Sequence, residues 1–417
     1  MKRSITPSVI EGEIIAPPSK SVMQRMTAAA LLAEGRTTVI DNPSFSTDCL
    51  ASLDVAQKLG AIVTRQETQV IIKGGLSPTV KGLSCGESGL GMRMFSAIAS
   101  LWPDELSIDG EGSLRSRPMD MLVAPFKDLG VRCTTTDGHA PITVHGPLRG
   151  GKTLVDTAVS SQFLSGLLMA LPKATGDSEL RVENLTSRPY IDLTLKVLEL
   201  CRIQITHDDY SRFFIQGDQS YRPQGFFVEG DWSSAAFLCV AAAAGGEIIL
   251  KGLDVRSPQP DRKIIEILED CGASVCLSPD FIGVKKRELK AFDFDVTDSP
   301  DLVPPLAALA CSCRGTSRLR GVDRLKYKES DRTAVLRQEL SKMGLSVKVI
   351  DGILEIQGGD IRGGATHSHG DHRIAMAMAV LAINAEQPIT VDGTECVKKS
   401  YPSFFEDLAS LGGKIDE

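Results

Sequence analysis

Hydrophobic and polar positions along the chain repeat one order. A short polar turn comes first, then a run dense in Ala, Leu and Met with helical spacing, a short alternating strand, a second helical stretch that stops near Leu-Gly, and one or two more alternating strands. The stops fall at Leu59-Gly60, Leu129-Gly130, Leu200-Cys201, Cys271-Gly272, Met343-Gly344 and Leu411-Gly412, roughly 70 residues apart each time, which gives six copies. Glycine suits these places because the residue past a helix end often takes the left-handed backbone. Strands follow each stop, as in Ala61-Ile62-Val63-Thr64 with Val70-Ile71-Ile72, or Leu345 to Val349 with Ile353 to Ile356.

A unit of this length is too long for a solenoid coil and too small to be stable alone, so copies are expected to share cores, three to a domain. Two domains also suit a chain of 417 residues. The stretch from Gly217 to Gly230 is the natural crossing point between the third and fourth copies. Ala235 to Ala244, the longest apolar run, is too short to cross a bilayer and reads as a buried helix.

Composition narrows the classes. Hydrophobic residues at 42% and charged residues at 24% exclude disorder. A formal net charge of −7 offers no general attraction for nucleic acid or an anionic membrane, so any anion site must be built locally. The basic start Met1-Lys2-Arg3 is followed by no apolar stretch of the secretory kind. Ten cysteines without any Cys-x-x-Cys fit neither a disulfide framework nor a zinc ribbon, and point to reduced thiols in a cytoplasmic protein.

The chemistry gathers where the first helix of each copy opens: Pro18-Ser19-Lys20-Ser21, Gly86-Glu87-Ser88-Gly89, Val159-Ser160-Ser161, Asp231-Trp232-Ser233-Ser234, Ser299-Pro300-Asp301 and Gly370-Asp371-His372. All six are helix N-cap sequences, and as such need do no more than satisfy orphan N–H groups. Basic residues stand beside several of them, however: Lys20 and Arg25, Arg93, and Arg373. A helix start combined with cations is a ready anion site. In the fifth copy, Lys326-Tyr327-Lys328-Glu329-Ser330-Asp331-Arg332 is expected to enter a helix that continues through Leu340, which sets Lys328 and Arg332 on one face. That pattern is either an exposed charge ladder or a Glu held between cations for proton traffic beside a phosphate.

Two strings suggest other classes. Gly146-Pro147-Leu148-Arg149-Gly150-Gly151-Lys152-Thr153 spells a phosphate loop after a strand-like Ile142-Thr143-Val144, but the motif requires a helix at the Lys, and Thr153 to Thr157 reads as extended. His367-Ser368-His369-Gly370-Asp371-His372 spells the His-x-His-x-Asp-His string of metal hydrolases, but it comes late and no His follows it. Neither a metal nor another cofactor is expected.

Taken together, Pro18-Ser19-Lys20-Ser21-x-x-x-Arg25, Ser160-Ser161-Gln162-Phe163-Leu164, Ser187-Arg188-Pro189-Tyr190-Ile191-Asp192, Lys328-Glu329-Ser330-Asp331-Arg332 and Asp371-His372-Arg373-x-Ala375-Met376 resemble the EPSP synthases, 3-phosphoshikimate 1-carboxyvinyltransferases, over nearly the whole chain. The resemblance implies a two-domain inside-out α/β barrel of six βαβαββ-type repeats, helices inside sheet walls. It implies a discontinuous lower domain, 1–19 plus 229–417, an upper domain, 20–228, and closure over the substrates. A monomer acting on two small molecules, phosphoenolpyruvate and shikimate 3-phosphate, is the expected form.

Carried over by the same resemblance, Lys20, Ser21, Arg25, Ser160, Ser161, Gln162, Ser187, Asp301 and Lys328 contact shikimate 3-phosphate. Lys20, Gly89, Arg117, Gln162, Arg332, Arg373 and Lys399 contact phosphoenolpyruvate. Asp301 takes the proton of the attacking 5-hydroxyl, Glu329 gives and later removes a proton at the methylene carbon, and Lys20 assists. The chain departs from the family's common pattern at Glu87-Ser88-Gly89-Leu90, where Asn-Ala-Gly-Thr is frequent, and at Arg324, where Asn is frequent. A sibling family, the UDP-N-acetylglucosamine enolpyruvyl transferases, carries a Cys in the loop matching Gly110 to Arg117, and none lies there in this chain.

Overall fold

A computed structural model describes residues 1–416. The chain forms two compact units, one of Met1–Pro17 with Glu229 onward and one of Pro18–Val228. The described residues contain six four-stranded sheets, three in each unit.

Every sheet follows one plan. In the sheet of Lys152–Asp156, Ser178–Glu183, Arg212–Ile215 and Ile205–Asp208, the first pair is parallel and the remaining two pairs are antiparallel. The other five repeat this pattern. Burial alternates along the strands, with Thr153 and Val155 inside and Lys152, Leu154 and Asp156 outside, so each sheet turns one face to the core and one to solvent.

The first helices of the copies supply that core. Lys20–Leu32, Gly89–Ala99 and Gln162–Ala170 in one unit, and Trp232–Gly245, Val303–Cys311 and His372–Ala382 in the other, are buried along nearly their whole length. A helix apolar all round has no solvent face to offer, and each set of three packs together at the centre of its unit. The run Ala235 to Ala244 lies within one of them. Second helices such as Arg188–Leu200 bury one stripe, here Ile191, Thr194, Val197 and Leu198.

Three strands come from distant sequence. Phe226–Phe227 pairs with Thr37–Asp41 and completes the sheet of the first copy. Ile10–Ile15 pairs with Gly246–Lys251 in the fourth copy, and Lys2–Thr6 sits inside the sheet of the sixth. The last two exchanges are why the first unit is assembled from two pieces of chain.

The phosphate-loop string is not one. Lys152–Asp156 is a strand where the motif needs a helix, and the exposed Lys152 ammonium pairs with Glu179 at 2.7 Å. The segment before Arg332 also differs from expectation. Asp323–Tyr327 is a 3-10 turn, and the helix begins only at Arg332, because the Asp331 side chain caps it by accepting from the Ala334 N–H at 3.1 Å. Lys328 therefore lies off the helix and shares no helical face with Arg332.

Candidate active site

In the Pro18–Val228 unit the starts of the three buried helices converge. Ser19 and Ser161 occupy N-cap positions, and Ser88 accepts from the Gly91 N–H at 3.0 Å. Gln24 ties two copies together, its amide donating to Ser88 Oγ at 2.7 Å, Ser52 Oγ at 2.9 Å and the Asp48 carbonyl at 3.2 Å. Lys20, the first helical residue, pairs through Nζ with Asp48 Oδ2 at 2.9 Å, with both side chains largely buried.

Gly89 marks where the cations of this unit gather. A Cβ added there would lie 2.8 Å from Arg117 Nη1, 3.2 Å from Arg93 Nη1 and 3.4 Å from Gln162 Oε1. Arg93 also donates to Gln162 Oε1 at 2.8 Å and to the Pro118 carbonyl at 3.0 Å, which fixes the loop bearing Arg117. Lys20, Gly89, Arg117 and Gln162 thus belong to the mouths of neighbouring helices.

Arg25 is placed differently. It is 1% exposed, and its guanidinium donates to Thr194 Oγ1 at 2.8 Å, the Ser21 carbonyl at 2.9 Å and the Tyr190 carbonyl at 3.1 Å. Burial lowers it to about 10, so it stays charged at neutral pH. In this arrangement it braces the segment of Ser187, whose left-handed backbone caps the Arg188–Leu200 helix. Ser160 accepts from the Gln162 N–H at 3.2 Å and sits at the mouth of its helix.

The other unit holds a compact ionic cluster. Arg332, 1% exposed, donates Nη1 to Asp301 Oδ1 at 2.7 Å, Nη2 to Glu329 Oε2 at 2.6 Å and Nε to Asp371 Oδ2 at 2.8 Å. Arg373 Nη2 reaches Asp301 Oδ2 at 3.2 Å, and Lys328 Nζ reaches Asp301 Oδ1 at 3.5 Å. Asp371 also accepts from the Arg373 N–H at 2.9 Å and from Ser330 Oγ at 3.1 Å. Lys399 Nζ donates to the Gly370 carbonyl at 2.8 Å. Three carboxylates against Lys328, Arg332 and Arg373 make this cluster balanced rather than simply positive.

The electrostatics follow. Burial alone would push the Asp301 carboxyl up, but Arg373, Lys328 and Arg332 outweigh it and hold the carboxyl well below the usual range. Burial lowers Lys328, against the pull of Asp301. Burial also opposes the charge on Arg332, yet Asp371, Glu329 and Asp301 raise it well above its ordinary value.

Asp48, Asp371 and Asp261 escaped the sequence reading as partners of the site. Asp261 is buried, accepts from Ser233 Oγ, and is pushed up to about 7 by burial and by the neighbouring charge of Asp301. The native state then holds a proton between roughly pH 4 and pH 7 that the unfolded chain releases, so stability falls as pH rises through that window. Asp261→Asn is expected to flatten this slope, with Tm above the parent at pH 8 and equal to it near pH 4. Parallel Tm curves from pH 4 to 8 would show that Asp261 does not titrate there.

Arg324 donates to the Thr297 carbonyl, and Leu90 is buried in the hydrophobic core of its unit, so both departures from the family's common pattern have structural partners. The His-rich string spans the end of the Gly364–His367 strand, a turn and the start of the His372–Ala382 helix. No cluster of three or more His, Cys, Asp or Glu placed to hold a metal ion occurs among the described residues, and none of their helices is long and apolar enough to cross a membrane.

Comparison with known proteins agrees across the chain. The family model of EPSP synthase (3-phosphoshikimate 1-carboxyvinyltransferase) matches residues 5–408. A 3-phosphoshikimate 1-carboxyvinyltransferase of Aeropyrum pernix is 40% identical over 413 residues, 99% of this chain and 96% of that protein. Another, of Clostridium kluyveri, is 38% identical over 99% of this chain and 98% of its own. Among solved structures, EPSP synthase from Acinetobacter baumannii matches with a TM-score of 0.83 and 28% identity, with each chain covered completely.

Proposed function

The chain belongs to the EPSP synthase family, and from that membership we infer that it transfers the enolpyruvyl group of phosphoenolpyruvate to the 5-hydroxyl of shikimate 3-phosphate, releasing phosphate. The observation that carries the assignment of roles is that Asp301 and Glu329 are held on one buried guanidinium, that of Arg332. Addition followed by elimination needs one group to take a hydroxyl proton and another to move a proton on and off carbon. Two carboxylates fixed side by side on Arg332, with Lys328 and Arg373 added at Asp301, suit that division.

Asp301 stays ionised far into acid. It therefore accepts a hydrogen bond from the 5-hydroxyl at any working pH, and takes the proton as the C–O bond to C2 forms and the hydroxyl becomes acidic. Glu329 delivers a proton to the methylene carbon in the same addition, which leaves a tetrahedral carbon at C2. In the elimination it removes a proton from the resulting methyl group while the C2–O bond to phosphate breaks, so that phosphate departs with both bonding electrons, the double bond returns, and the proton held by Asp301 leaves with the phosphate.

Arg332, Arg373, Lys399, Lys20, Gly89, Arg117 and Gln162 are the proposed holders of phosphoenolpyruvate. Guanidinium forks match its carboxylate and phosphate in pairs, and opposite charges at 4 Å are worth about 4 kcal/mol at an effective dielectric of 20. Ser21, Arg25, Ser160, Ser161, Gln162, Ser187, Lys328, Lys20 and Asp301 are the proposed holders of shikimate 3-phosphate, with hydroxyls for the ring and cations for the phosphate.

The deciding experiment follows phosphate release from phosphoenolpyruvate with and without shikimate 3-phosphate. Release only in the presence of both is expected; release without the second substrate, or none with it, would overturn the assignment. Gly89→Ala probes the phosphoenolpyruvate side. The added methyl displaces the ends of Arg117 and Arg93 rather than backbone. The KM for phosphoenolpyruvate should therefore rise about tenfold, equivalent to ~1.4 kcal/mol, while Tm holds or rises slightly because Ala favours a helix over Gly. An unchanged KM would place those guanidinium groups away from the substrate.

A further inference from the structure

The string His367-Ser368-His369-Gly370 has an employment in this fold that does not involve metal. The Arg332–Lys342 helix carries Arg332 at its first position and Glu339 two turns on, so both project from one face. Glu339 is fully buried, and its carboxylate accepts from His369 Nε2 at 2.8 Å, from the His367 main-chain N–H at 3.1 Å and from Lys342 Nζ at 2.7 Å. Arg332 meanwhile holds Asp371. One helix face thus grips both ends of the segment His367–Asp371.

Between the two grips, His369 and Gly370 both adopt left-handed backbone, with φ of 53° and 72°. That conformation is uncommon outside glycine, though histidine takes it more readily than most residues, and here its surroundings favour it. The bond to Glu339 is one holder; another is the His369 N–H, which donates to His367 Nδ1 at 2.7 Å. The carbonyl of the next residue, Gly370, is the one that accepts from Lys399 Nζ.

We propose that Glu339 is a positioning residue for phosphoenolpyruvate: by holding His369 it sets the Gly370 carbonyl, and through it the direction of the Lys399 ammonium. This rests on the assignment of Lys399 to phosphoenolpyruvate made above. A charge-assisted hydrogen bond to a buried carboxylate is among the stronger ones, and geometry imposed at the His367–Gly370 turn reaches Lys399 without any intermediate side chain.

The test is steady-state kinetics of the full chain carrying Lys399→Ala, His369→Ala, His369→Gln, Glu339→Gln and the double change Lys399→Ala with His369→Ala. His369 is partly exposed, so its replacement opens the clamp without burying a new polar group. His369→Ala and Glu339→Gln should each raise the KM for phosphoenolpyruvate about tenfold, the effect of losing one hydrogen bond to a charged group. The KM for shikimate 3-phosphate and kcat should stay within about twofold by the same reasoning. His369→Gln, whose amide N–H can reach the carboxylate, should recover most of the loss. The double variant should be no worse than Lys399→Ala alone, because both changes act on one contact. If Lys399→Ala raises that KM and the His369 and Glu339 variants do not, the positioning role is overturned while Lys399 keeps its place. If Lys399→Ala leaves it unchanged, the assignment beneath the proposal fails. An equal rise in both KM values, or a fall in Tm with unaltered kinetics, assigns Glu339 to stability alone.

Discussion

Glu329→Gln should lower kcat by about 10³-fold, within the ~10²–10⁴ range of a positioned acid–base group, while both substrates still bind. The amide has the shape of the carboxylate and keeps an oxygen for Arg332 Nη2, which now lies 2.6 Å from Glu329 Oε2. Arg332 therefore stays where Asp301 and Asp371 also hold it. What the amide cannot do is carry a proton to carbon and take one back, and both halves of the reaction need that. Calorimetric titration with each substrate separates the effects: dissociation constants should stay within about threefold of the parent, since one surviving hydrogen bond differs little in binding. Asp301→Asn offers a contrast, because it deletes a charge facing Arg332, Arg373 and Lys328, and so should disturb binding and turnover together. Turnover of Glu329→Gln close to that of the parent, in folded protein, would take Glu329 off the proton path.

Much of this site was legible because its residues stand at helix starts, where local chemistry speaks clearly. Ser19, Ser88, Asp231 and Asp371 precede helices that begin where the capping pattern puts them, at Lys20, Gly89, Trp232 and His372. The same rule, applied to Asp331, gives a helix start at Arg332. Reading the basic run of residues 326–332 as already helical missed that cap and placed Lys328 on a face it does not occupy.

What the sequence withheld is long-range pairing. Phe226–Phe227, Ile10–Ile15 and Lys2–Thr6 look like strands, but an alternating pattern names a face and never a neighbour. Asp48 under Lys20, and Glu339 under His369, are separated from their partners by 28 and 30 residues. Each resembles an ordinary helix-surface acid until the fold turns it inward. The exchange of Ile10–Ile15 and Lys2–Thr6 into the later half also explains why residues from opposite ends of the chain share one core.

Arg332→Met should cost stability and substrate together. Arg332 pairs with Asp301, Glu329 and Asp371 at once, and it is 1% exposed. Replacing a whole buried ion cluster with apolar groups can be neutral, but removing one cation leaves three carboxylates with less positive charge around them, at about 3–5 kcal/mol. Methionine fills much of the volume, so the loss is electrostatic rather than a cavity. With about 2–4 °C of Tm lost per kcal/mol in a domain of this size, the transition of the unit containing residue 332 should drop by roughly 10 °C. Acid should narrow the gap, since protonating the stranded carboxylates removes the repulsion that the arginine had offset. Phosphoenolpyruvate should bind at least about tenfold more weakly, as expected on losing a charge-assisted bidentate partner. A variant with unaltered Tm and weakened binding would show that the carboxylates find other partners and that Arg332 serves the ligand alone. Lost stability with intact affinity would mean the reverse, a cluster that holds its unit together while the substrate is held by Arg373 and Lys399.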